Sequence, residues 1–274
     1  MPHFDYTDPH QHYLSRSWCR FNYDNAIYQW VQRARPHANR ALNDPDNLPW
    51  IRCQGTWFVG VNALPNDRKG VIEGTPLAGE ALDFLTTTLG FNAITWDKAQ
   101  VSVCYPGYPQ PNEHESEAAF QFRLKRDAAH VDGLLPEGDN RRRHLRECHR
   151  FILGIPMTPI NEAHAPPVVW EGSHHIVREY LAPCYRGIPA EKWPDVDITE
   201  AYHEARKAVF ARCRRVILIA QPGETFILHR LSVHGIAPWE NTIDDDHHTE
   251  PLRMICYFRP YFENPSNWLT STDP

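Results

Sequence analysis

His130 and Asp132 stand one valine apart in "KRDAAHVDGLLPEG" (125–138). In an extended chain, residues two apart project from the same face. An imidazole nitrogen and a carboxylate oxygen could therefore address one cation. A third ligand from a neighbouring strand would complete a two-histidine, one-carboxylate set and leave three coordination positions open. That arrangement suits non-haem Fe(II) that must take up a co-substrate and O2 together. The pair alone decides little, because 16 histidines in 274 residues make such a spacing common, and His3 and Asp5 share it with no chemistry around them.

The third ligand should be a distant histidine on a later strand. His234 in "FILHRLSVHGIAPW" is so placed, and the glycine after it allows a close backbone approach. His229 competes, but its odd separation from His234 puts it on the opposite face of a regular strand. No CxxC pair, Gly-rich phosphate loop, GxSxG or HExxH offers a rival chemistry. The seven cysteines are odd in number and scattered, which argues against a disulfide framework and against a cysteine zinc site.

The elements that must position these residues read as strands with helices outside them. Proline is abundant, with 24 residues, and disfavours a helical bundle. Helices are expected over 25–35, over 75–91 with Thr75 as cap and Pro76 in the first turn, and from Thr199 onward. Strands are expected within 56–65, 99–109, 150–160, 165–175, 215–239 and 251–262, several ending at Gly or Pro turns. The expectation is one α+β domain, mainly β with flanking helices: a helical and irregular support over 1–98, and a jelly-roll core over 99–262. Residues 181–214 read as a helical insertion and, lying just after "EGSHH", as a lid.

A net charge of −6 gives no support for nucleic acid or an anionic membrane as partner, and Arg141, Arg142 and Arg143 read as a solvated run. No basic start followed by an apolar core opens the chain, and no apolar run is long enough to span a bilayer. A reducing cytoplasm is the expected compartment.

Four blocks in order, "HVDG", "VVWEGSHH", "PGETFILHRLSVHG" and "LRMICYFRP", resemble the phytanoyl-CoA dioxygenase-like branch of the Fe(II)/2-oxoglutarate-dependent oxygenases, over roughly residues 100 to 262. The resemblance implies a double-stranded β-helix of the cupin-like jelly-roll kind. It implies His130, Asp132 and His234 as iron ligands and Arg253 as the anchor for the far carboxylate of 2-oxoglutarate. The segment holding Trp170 and His174 would border the active-site mouth and meet substrate. The "ENTIDDDHHTE" loop between His234 and Arg253 is longer than this family usually shows, so Arg259 stands as the alternative anchor, although "YFRP" reads as a strand's exit to solvent. The implied activity is O2-dependent oxidation of a small molecule, with 2-oxoglutarate converted to succinate and CO2. Asp132 fills the place that halogenating relatives leave open, which points to hydroxylation. Two other readings compete: a cupin-like metalloenzyme that does not use 2-oxoglutarate, and a non-catalytic jelly-roll binding protein.

Overall fold

A computed structural model describes residues 8–240 and 252–269. The His3–Asp5 pair and the "DDDHHTE" loop lie outside the described residues. The elements run α1 (Pro9–Arg16), β1 (Trp18–Phe21), α2 (Asn25–Leu42), β2 (Ile51–Arg52), β3 (Trp57–Phe58), α3 (Glu80–Asp83), β4 (Gln100–Cys104), α4 (Glu117–Lys125), β5 (Leu134–Glu137) and β6 (Arg142–Leu145). They continue with β7 (Phe151–Pro156), β8 (Pro167–Trp170), α5 (Ser173–Tyr185), α6 (Thr199–Arg212), β9 (Arg215–Ile217), β10 (Thr225–His229), β11 (His234–Ile236) and β12 (Arg253–Phe258).

A seven-stranded antiparallel sheet runs β1-β10-β7-β12-β4-β3-β2, and a three-stranded antiparallel sheet runs β11-β8-β9. The sheets face one another as the double-stranded β-helix expected from the sequence. Ile152, Phe226, Leu228 and Ile255 of the large sheet meet Val169 of the small one, beside Leu218.

Strand alternation on β12 decides what each face sees. Met254, Cys256 and Phe258 point out into the core beneath α2, where Trp30 packs on Phe258 with ring centroids 5.7 Å apart. Arg253, Ile255 and Tyr257 occupy the opposite, inner face. Each large apolar side chain buried in this way contributes about 1.5–3 kcal/mol. A second core lies under α5 and α6, around Val131, Trp170, Val177, Leu181, Tyr202 and Val209.

The N-terminal region differs from expectation. It does more than support the barrel, since β1, β2 and β3 extend the large sheet at both edges. The helix expected over 75–91 begins only at Glu80. Gly79 has φ +127, and a Cβ there would lie 2.4 Å from Asp24 Oδ2. That carboxylate, from a remote segment, accepts the Glu80 N–H at 2.9 Å, and the helix then widens into a π-turn over Phe84–Thr88. Helix α4 and the β5–β6 hairpin carry no clear periodic signal. Among the described residues no helix is long and apolar enough to cross a membrane.

Candidate metal centre

His130 and His234 are brought together by backbone before their side chains meet. The His130 N–H donates to the His234 carbonyl at 2.9 Å, and the His234 N–H donates to the His130 carbonyl at 3.0 Å. Two residues on, the Ile236 N–H donates to the Asp127 carbonyl at 2.8 Å. A Cβ on Gly235 would sit 2.0 Å from that carbonyl oxygen, so the approach of the two segments requires glycine. The Asp127 carboxylate is held by both arms of Arg215, at 2.6 and 2.9 Å, which fixes the approach to His130. Between the two ligand candidates, Val131 turns into the second core, and its N–H donates to the Tyr202 hydroxyl of α6 at 3.3 Å.

Each histidine also has its ring nitrogens assigned by its surroundings. His130 Nδ1 lies 3.0 Å from the Ala128 carbonyl, and His234 Nδ1 lies 3.1 Å from the Ser232 carbonyl. A carbonyl only accepts, so both Nδ1 atoms carry hydrogen and both Nε2 atoms present lone pairs. Those lone pairs face Asp132 Oδ1, 3.1 Å from His130 Nε2 and 3.7 Å from His234 Nε2. The three ligand atoms all lie within 4.8 Å of one another. Adjacent donors on an ion with bonds of about 2.1 Å sit about 3 Å apart. Three converging lone-pair donors repel one another unless a cation lies between them.

Electrostatics keeps this set in its ligating form. Burial pushes His234 down to about 4, with the neighbouring charges of Asp132 and His130 acting in opposite senses, so it is neutral at pH 7. Burial alone would raise Asp132, but the Arg259 guanidinium and the two imidazoles reverse this and hold it well below the usual carboxylate range. Arg259 Nη1 lies 3.3 Å from Asp132 Oδ2, the oxygen turned away from the histidines.

The three residues line a cavity of about 470 Å³ between the sheets, within the usual range for small-molecule sites. Its walls are mostly apolar, including Trp50, Trp57, Leu135, Ile152, Val168 and Leu228. Gln100, Ser102, Glu147 and Arg259 add polar groups. Glu147 stays ionised because its hydrogen bond to His149 outweighs its burial.

Arg253 is not itself part of the cavity lining, but it stands behind Ser102, whose Oγ is 3.5 Å from Arg253 Nη1. It is fully buried, Nη2 lies 2.7 Å from Cys104 Sγ, and Nε has no hydrogen-bond partner. Cys104 cannot serve as counter-ion, because burial pushes its thiol up to about 11 despite Arg253. Burial likewise raises the Tyr257 hydroxyl on the same face of β12. Among the described residues, no carboxylate pairs with Arg253. A buried cation without an anion costs several kcal/mol.

Trp170 and His174, expected at the mouth, do not line the cavity. Trp170 ends β8 facing α6, with its ring 5.4 Å from Phe210. His174 lies in the first turn of α5, its Nε2 3.0 Å from the Leu14 carbonyl and its ring 4.7 Å from His229. Once Gly172 turns the chain, the following segment becomes a helix packed outside the barrel. His229 lies with His174 and Tyr13, away from the metal ligand atoms. Sequence reasoning named Arg259 only as the alternative anchor, not as a neighbour of Asp132, and did not single out Glu147 and Gln100 in the wall. Strand alternation on β4 and β12 marks Gln100 and Arg259, but their strand partners are needed to show which face is the interior.

No known family profile matches the sequence, and no curated protein matches it. In structure the chain is similar to EvdMO1, with a TM-score of 0.50 and 11% identity over 93% of this chain and 49% of that one. It is also similar to apo EctD from S. alaskensis (0.47, 14%, over 92% and 75%). A third similar structure is the non-haem alpha ketoglutarate dependent carbocyclase SnoK from nogalamycin biosynthesis (0.44, 11%, over 93% and 83%). At 11% identity and a TM-score of 0.50, the likeness to EvdMO1 speaks for the fold alone.

Proposed function

We propose that this chain is an Fe(II)/2-oxoglutarate-dependent oxygenase that hydroxylates a small molecule, of the phytanoyl-CoA dioxygenase-like branch. One observation carries the reading: a cavity lined by three converging lone-pair donors, which call for a cation, with a buried guanidinium behind its Ser102 wall that has no counter-ion among the described residues and calls for an anion. 2-Oxoglutarate joins these requirements, since its keto-acid end can chelate a metal while its far carboxylate meets Arg253. Arg259 is the weaker anchor candidate, because its guanidinium is already engaged by Asp132. EctD from the same organism as the apo form has been crystallised with 2-oxoglutarate and 5-hydroxyectoine, and SnoN with Fe3+, alpha ketoglutarate and nogalamycin RO.

His130, Asp132 and His234 would hold iron on one face. Bound there, iron would supply the oxidising power, with O2 as oxidant and 2-oxoglutarate as the co-substrate converted to succinate and CO2. The chain's own part is to keep His234 neutral, fix both imidazole rings through Ala128 and Ser232, and exclude water with apolar walls. Arg253, Arg259 and a dication would offset Asp132, Glu147 and the 2-oxoglutarate dianion. A neutral, mainly apolar substrate therefore enters without leaving an uncompensated charge. Asp132 occupies the coordination position that a halide would need, which favours hydroxylation. We read 181–214 as a buttress behind Val131, since none of its residues lines the cavity. All seven cysteines are free, in keeping with a cytoplasmic site of action.

The test is anaerobic. Protein loaded with Fe(II) should develop a weak visible charge-transfer band when 2-oxoglutarate is added, and succinate should appear on admitting air with substrate. Metal uptake without the band would favour a cupin-like enzyme that does not use 2-oxoglutarate. No metal uptake would favour a binding protein.

A further inference from the structure

We propose that Arg259 is a positioning residue that restricts Asp132 to one metal-binding oxygen. The inference rests on the metal reading above and concerns a residue that reading does not need. The two carboxylate oxygens of Asp132 have different neighbours: Oδ1 faces both Nε2 atoms, and Oδ2 faces Arg259 Nη1 at 3.3 Å. Arg259 is itself clamped at both ends of its backbone. Its N–H donates to Asp97 Oδ1 at 3.0 Å, and its carbonyl accepts from His149 Nδ1 at 2.9 Å. These bonds act just beyond the end of β12, before Pro260, where a strand would ordinarily release its next side chain to solvent. Here the guanidinium instead turns into the cavity wall.

The chemical consequence is a count of positions. A three-atom facial set leaves three places on a six-coordinate ion. A co-substrate that chelates through two atoms fills two of them, and O2 needs the third. A carboxylate free to rotate can bind through both oxygens and occupy that third place. By engaging Oδ2, Arg259 keeps it vacant.

The experiment compares full-length wild type, Arg259→Gln and Arg259→Lys by Fe(II) titration without 2-oxoglutarate, and by the visible spectrum of the Co(II)-loaded proteins. Arg259→Gln should bind Fe(II) roughly 10–100-fold more weakly, the usual effect of losing an outer partner of a ligand. Its Co(II) spectrum should shift, because the carboxylate can now rotate. Arg259→Lys, which keeps the charge, should recover most of the affinity. Affinity within about twofold of wild type together with an unchanged Co(II) spectrum in Arg259→Gln would overturn the proposal. So would a lowered melting temperature with unchanged metal binding, which would mean that the residue only supports the fold. If Arg259→Gln does not fold, Arg259→Met decides, since weakened Fe(II) binding with an altered Co(II) spectrum in the folded variant supports the proposal, and wild-type affinity with an unaltered spectrum opposes it. Wild type that takes up no Fe(II) would sink the metal reading and this inference with it, whereas normal wild-type uptake with indifferent variants would sink this inference alone.

Discussion

Two pairs of histidine rings in this molecule pack almost identically and do opposite things. His130 and His234 have ring centroids 4.6 Å apart, and His174 and His229 have theirs 4.7 Å apart. Around the first pair, backbone carbonyls hold both Nδ1 atoms, so the Nε2 atoms share a carboxylate oxygen beside a cavity. Around the second, burial comes first and Arg230 and Arg178 come next, all opposing a positive charge on His229. Its Nδ1 accepts the Leu231 N–H at 3.0 Å and so points its lone pair at the chain's own backbone. Proximity of imidazoles is therefore not what makes a metal site. At His229 the backbone takes the Nδ1 lone pair where at His130 and His234 it takes the Nδ1 hydrogen, and the charges facing His229 are guanidiniums where a carboxylate faces the other pair.

The sharpest way to break this comparison is to remove one ring from each pair. His234→Ala should lose metal by more than the roughly 10–100-fold that an outer partner costs, with succinate formation abolished. His174→Ala should keep its Fe(II) affinity, read by the same titration, and instead lose about 2–4 kcal/mol of stability in a denaturant melt. Metal loss in His174→Ala without unfolding would mean that the clusters are one functional unit.

Next in size is the anion end. Arg253→Ala should weaken 2-oxoglutarate by roughly 30-fold to a few thousand-fold while leaving iron bound, as expected when one partner of a buried charged pair is deleted. Equal co-substrate requirements in wild type and variant would move the anchor elsewhere, with Arg259 the first candidate.

Metal itself should separate the clusters by stability. Fe(II) at about one hundred times its dissociation constant adds about 2.7 kcal/mol to the native state. A chelator should reverse that gain in wild type and have no effect on His234→Ala.

Acid provides a further comparison. Histidines in the unfolded chain titrate near 6.5, whereas burial lowers His234 to about 4, His174 to about 3, and His229 strongly. The unfolded state then binds more protons below about pH 6.5, so metal-free stability is complete above that pH and declines as the pH falls toward 4. His174→Gln should flatten the decline in a pH series of melts, and an unchanged slope would remove His174 from the account.

Much of the candidate site could be read from spacing. The His130–Asp132 pair needs only the two-residue period of an extended chain, and His234 needs only a glycine and a later strand. Arg253 could be named from block order, but the reason it suits an anion could not. That depends on Cys104 being a buried neutral thiol and on the absence of a carboxylate beside it among the described residues. The contact of Arg259 with Asp132 was hidden because the residue before a proline reads as the end of a strand, and the clamps of Arg259, Asp97 and His149, come from distant segments. The misplacement of Trp170 and His174 has a similar cause, since a Gly-Ser turn does not say whether the next helix lies over the mouth or outside the barrel. The late start of α3 follows from Asp24, a cap more than fifty residues away that no local window contains.

The paired backbone bonds between His130 and His234 have a consequence for how the molecule folds. They join segments about a hundred residues apart, so the site forms only when that long loop closes. Neither segment can be prepared locally, because Gly235 reaches its place only against the finished backbone at Asp127. Metal capture should thus be a late event in refolding, following secondary structure and the first burial of the cores. A nascent chain would pass through most of its collapse without holding a reactive ion.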